Sequence, residues 1–214
     1  GKLAYQGELQ FNKNHIISKT NPISISNVQG KIFFNENNIK AKSLNGIFYD
    51  EKIQLNLTQS RKQQIDTLKI TAKTNLNLNH KTFKPWINLK NIHGKTPFRL
   101  EASLHKDLKK KSNNRKINFI IKSETKGITI NYPAPFRKRS DKTKQLIIMG
   151  EVKPKQTTKI NWMLGQQFKG DVNLDYINQQ WNFSNGLIML GDVADKEPGE
   201  QGLFIHAKLK TINT

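Results

Sequence analysis

The chain has 214 residues, 35% of them hydrophobic, and its 36 basic and 16 acidic side chains give a formal charge of +20. With no cysteine, a disulfide framework and thiolate metal sites are excluded. No apolar run approaches the roughly 18 residues of a membrane-spanning helix. Counting glycine, the apolar share is about 41%, slightly below the roughly 45–50% of compact domains. Such residues cover one face of a sheet better than they fill a thick core.

Period-two alternation starts at once. Leu3, Tyr5, Gly7, Leu9 and Phe11 share one face, and the pattern returns at Val28, Gly30, Ile32 and Phe34. It continues through Ile53, Leu55, Leu57, then Leu68, Ile70, Ala72, then Phe98, Leu100, Ala102, Leu104. Ile117, Phe119 and Ile121 follow, then Ile160, Trp162, Leu164, then Val172, Leu174, Tyr176, and last Leu203, Ile205, Ala207, Leu209. Alternate residues of a strand point to opposite faces, so each segment has one apolar and one polar side. Clusters such as NENN (35–38) and DEK (50–52) mark turns. The pattern predicts an antiparallel meander with one wet face.

Between these segments, HKTFKPWINL (80–89) places Phe83, Trp86 and Ile87 at helical spacing, and Pro85 limits it to a short helical turn. HKDLKKKSNNRK (105–116) reads as a long basic turn, not a linker between domains. The stretch ITINYPAPFRKRSDK (128–142) alternates as a strand, stops on Pro133 and Pro135, and ends in positive charge. Proline donates no ladder hydrogen bond, so the pair ends the strand and blunts an edge. Tyr132 and Phe136 flank the break and are placed to close over apolar surface, with Arg137, Lys138 and Arg139 in an exposed turn.

Catalytic signatures are missing. The five histidines are scattered, none beside a carboxylate at ligand spacing. There is no phosphate loop, nucleophile elbow or carboxylate pair. GDVADKEPGEQG (191–202) lacks the alternating oxygen ligands of a calcium loop and reads as surface. The sequons NLT (56–58) and NFS (182–184) lie in strand-like segments and carry little weight. An enzyme is not expected, nor a cofactor or metal. The charge favours anionic partners, or else forms a solvated face built from abundant Asn and Lys.

INFIIKSETKGITINYPAPFRKRSDKTKQLIIMGEV (117–152) resembles a recurrent segment of the YhdP-like, AsmA-related bacterial envelope proteins. The matching positions are Ser123, Gly127, Ile128, Pro133, Ala134, Pro135, Phe136, Lys138 and a strand beginning near Leu146. ISNVQGKIFFNENNIKAKSLNGIFYDEKIQLNL (25–57) resembles the family's repeated Val-x-Gly and Leu-x-Gly strand unit. KPWINLKNIHGKTPFRLEASL (84–104) resembles its Trp-containing helical turn, and GLIMLG (186–191) fits as well.

That resemblance implies an all-β, mostly antiparallel, strongly curved sheet forming an open hydrophobic groove of the kind seen in TamB-type proteins, with one short helical element. It implies residues 1–214 as a single β-groove segment of a longer, inner-membrane-anchored periplasmic protein of a Gram-negative bacterium. Gly1 opening straight into a strand pattern, without a signal peptide, agrees. The implied partners are phospholipid acyl chains, adjoining segments of the parent chain and, indirectly, membranes. The implied role is non-catalytic movement of phospholipid between inner and outer membranes. On this reading Phe34, Leu55 and Ile70 line the groove early in the chain. Leu100, Ile117, Phe119, Ile121 and Ile130 line its centre, and Trp162, Leu174 and Ile205 its last third. Tyr132, Pro133, Pro135, Phe136, Arg137 and Lys138 belong to its rim. Two rivals remain: a basic module for nucleic acid or anionic glycan, and a purely structural spacer. Nucleic acid is disfavoured because base stacking wants aromatics on the basic face.

Overall fold

The computed structural model describes residues 5–17, 24–62, 64–79, 90–109, 115–133, 136–153, 156–177, 180–193 and 199–208. Thirteen strands follow in chain order. They are β1 (Gln6–Ile17), β2 (Ser24–Asn35), β3 (Asn38–Phe48), β4 (Glu51–Lys62), β5 (Ile65–Asn77), β6 (Ile92–Asp107) and β7 (Arg115–Ser123). The second half holds β8 (Ile128–Ile130), β9 (Leu146–Val152), β10 (Thr158–Leu164), β11 (Phe168–Ile177), β12 (Gln180–Gly191) and β13 (Gly202–Lys208). Twelve of them pair in sequence order, and β8 stands off this path against the start of β6. Every pairing is antiparallel except β12–β13.

The path runs from β1 to β13 without closing, so the sheet is open. Strand twist makes open sheets of more than about ten strands curl, which is the curvature a groove requires. The exposed surface measures 15460 Å², whereas a compact monomer of 24.6 kDa exposes about 10,100 Å². The excess of about half again is what a single layer with uncovered faces produces.

The predicted strands sit where alternation puts them, Leu3 and Leu209 lying outside the described residues, and the structure adds three that alternation hides. In β3 a bulge between Ala41 and Leu44, with Ser43 at φ 59°, shifts the apolar positions by one. In β9, Ile147 and Met149 are apolar on the face opposite Ile148. In β12, Leu187 and Met189 are buried with Val193 from the following connection, so this strand is covered on both sides. The basic stretch 105–116 is narrower as a turn than expected, because β6 runs to Asp107 and β7 begins at Arg115. The helical turn expected over 80–89 lies outside the described residues, among which every named element is a strand.

The two rims differ. One collects the short hairpin connections 36–37, 63–64, 108–114, 153–157 and 178–179. From the other leave the connections 18–23, 49–50, 78–91, 124–145, 165–167 and 192–201.

Candidate functional site

Register carries the apolar face across the whole sheet. Directly paired residues share a face, and one transverse row passes through all twelve strands. It starts Leu9, Ile32, Ala41, Leu57, Ile70, Ala102. It continues Phe119, Gly150, Ile160, Val172, Gly186, Leu203. No polar side chain interrupts it. A second row runs from Leu44 through Leu55, Ala72, Leu100, Ile121 and Ile148. It goes on through Trp162, Gly170, Ile188 and Ile205. At about 4.8 Å per strand, the full row is about 53 Å long. The opposite face reads Lys73, Arg99, Lys122 in direct register.

Glycines keep the apolar floor low. The Phe119 ring lies where a Cβ on Gly150 would stand, 2.5 Å away, and the Trp162 ring lies 2.8 Å from the same point on Gly170. Phe34 covers Gly7 likewise. In each case ring and glycine are direct cross-strand partners. The ring thus leans over the glycine of the neighbouring strand.

Phe34, Leu55, Ile70, Leu100, Ile117, Phe119, Ile121, Trp162, Leu174 and Ile205 all fall on this apolar face. Ile130 does not. It belongs to β8, paired with Ile92 away from the main path. Sequence alternation had no way to separate a three-residue strand at the rim from one in the sheet. Leu44, Ile148 and Ile188 complete the rows but escaped prediction, because a bulge or a two-sided apolar run masks their period. Among the described residues, no group of three His, Asp or Glu is placed to hold a metal ion.

At the rim, Tyr132, Pro133, Phe136 and Arg137 are exposed, and Pro135 lies outside the described residues. Lys138 corrects the expectation of a basic exposed turn: it is 3% exposed. Its Nζ donates to the carbonyl oxygens of Thr125 (2.7 Å), Ile128 (2.7 Å) and Arg139 (3.1 Å). Burial pulls its pKa below the ordinary lysine value, and repulsion from Lys144 adds to this. Phe136 packs on Phe168 with ring centroids 5.6 Å apart, and Lys144 lies 4.7 Å over the same ring.

The described residues thus form an open, mostly antiparallel sheet with one continuous apolar face. The YhdP protein family model matches residues 2–214, and the chain belongs to that family. No curated protein and no solved structure matches it.

Proposed function

We propose that this chain is a non-catalytic segment of an envelope lipid-transfer protein that shields phospholipid acyl chains on its apolar face between the inner and outer membranes. The observation that carries this is the uninterrupted apolar row of twelve strands, left uncovered along most of its length. Family membership agrees with an envelope lipid-transfer protein and a periplasmic location. Each CH₂ removed from water contributes about 0.8 kcal/mol, so shielding some fifteen offsets roughly 12 kcal/mol. Head groups stay in solvent and need no specific pocket. The rings of Phe34, Phe119 and Trp162 lie opposite the Lys73–Arg99–Lys122 row, which leaves that basic row without the stacking platform nucleic acid requires.

The test compares Phe119→Glu with Met149→Glu, which puts the same charge on the exposed outward face of β9, by thermal stability and by native mass spectrometry of co-purified phospholipid. In an open groove the introduced carboxylate reaches water, so the fold survives and lipid occupancy falls sharply, while Met149→Glu keeps its lipid. An unfolded Phe119→Glu chain would mean a closed core, where losing the ring alone costs about 3–5 kcal/mol. A folded one with lipid unchanged would remove Phe119 from the site.

A further inference from the structure

Resting on the lipid reading above, we propose that residues 124–133 and 136–145 form a fixed wall along one rim of the groove, locked by the buried ammonium of Lys138. Phospholipid is then admitted only across the opposite, hairpin rim.

The wall is anchored at several independent points. Ile130 and Lys138 exchange both backbone hydrogen bonds, at 2.8 and 3.0 Å. Gly127 N donates to Ser140 O (2.9 Å) and Lys144 N to Glu124 O (3.1 Å). β8 pairs with Ile92–Gly94 of β6, where Gly94 (φ +117°) and Gly127 (φ +91°) let the two backbones approach so closely that a Cβ on either would strike a carbonyl. Thr125 is held at φ 52°, a strained conformation for a β-branched residue. Its amide donates to Ser123 Oγ and its hydroxyl to Lys144 O (2.6 Å). Such strain persists only where the surroundings over-determine the backbone.

Lys138 is the lock because an ammonium has three protons and all three are spent on carbonyls. Removing it would leave those carbonyls buried and short of a donor. The floor beneath the wall is also of a different kind. Thr96 is 1% exposed and its hydroxyl lies 3.3 Å from that of Ser123, itself buried. An acyl chain finds no apolar seat there, and Phe136 lies over Phe168 at the wall's far end. Among the described residues the hairpin rim has no such cover: Ile117 on β7 remains 38% exposed.

Two readouts test this on the purified chain, in wild type, Lys138→Met and Phe136→Ala. Hydrogen exchange should be slow at the Gly127, Ile130 and Lys138 amides. It should quicken at least tenfold in Lys138→Met, with β4 and β5 unchanged. A photoreactive benzoylphenylalanine, placed at Ile117 or at Leu164, reports contact with vesicles of phosphatidylethanolamine and phosphatidylglycerol. Ile117 should crosslink lipid in every protein. Leu164, beside the wall, should do so only in Lys138→Met and in Phe136→Ala, the second of which keeps the lysine and serves if the first does not fold. Crosslinking at Leu164 as strong as at Ile117 in wild type overturns the wall, and equal exchange in wild type and Lys138→Met overturns the lock. Silence at both positions in all three proteins overturns the lipid reading, and one-sided admission with it, a pattern distinct from either of those failures.

Discussion

At the scale of single residues, polar groups beneath the sheet are matched with care, and one departure is informative. The hydroxyl of Thr158, 2% exposed at the start of β10, has no hydrogen-bond partner among the described residues. A buried hydroxyl without a partner costs about 1–3 kcal/mol of desolvation. Thr158→Val keeps the shape and removes the hydroxyl, so it should stabilise the chain by about 1 kcal/mol, seen as a higher urea midpoint at unchanged m. Lys138 shows the limit of reading such residues from sequence. Its neighbours Arg137 and Arg139 are exposed while it is buried, and composition treats all three alike. What sets it apart is the carbonyl cage made by Thr125 and Ile128, 13 and 10 residues upstream. No local pattern encodes that.

At the scale of strands, legibility followed the physics of the pleat. Where one face is wet, as in β4, β5 and β7, period two shows directly. It fails at the β3 bulge, which moves the apolar set by one position. It also fails at β9 and β12, whose outward positions are apolar as well, in β12 because the connection after it packs Val193 on Leu187 and Met189. The cross-strand glycines are a further strand-level device: a ring that lies down over a glycine restores the contact the missing side chain would have made. Gly150→Ala would place a methyl 2.5 Å from the Phe119 ring and force it off its seat. Overpacking of this kind costs about 1–3 kcal/mol, and the same displacement should lower lipid occupancy by lifting the ring into the groove. Chemical denaturation beside lipid quantitation checks both, and an alanine variant with neither loss would show that the ring does not need the glycine.

At the scale of the whole molecule, the sheet ends in two edge strands, β1 and β13, each paired to a neighbouring strand on one side only among the described residues. Both edges expose apolar side chains. Leu203 and Ile205 of β13 are 57% and 64% exposed, and Leu9 of β1 is 50% exposed. An exposed apolar edge strand is a template for pairing with another chain, and here it meets a net charge of +20 that repels every copy of itself. The two effects respond oppositely to salt. The Debye length is about 10 Å at 0.1 M and about 3 Å at 1 M, so added salt removes the repulsion while leaving strand pairing and apolar burial intact. The purified chain should therefore sediment as a monomer at about 0.05 M salt and associate progressively toward about 0.5 M. Ile205→Lys puts a charge at the centre of the β13 edge, the device natural edges use against pairing, and should hold the chain monomeric across that range. Association that weakens as salt rises would mean that charge, not the open edge, brings copies together. Association untouched by Ile205→Lys would move the contact away from β13, to the β1 edge or to the apolar face itself.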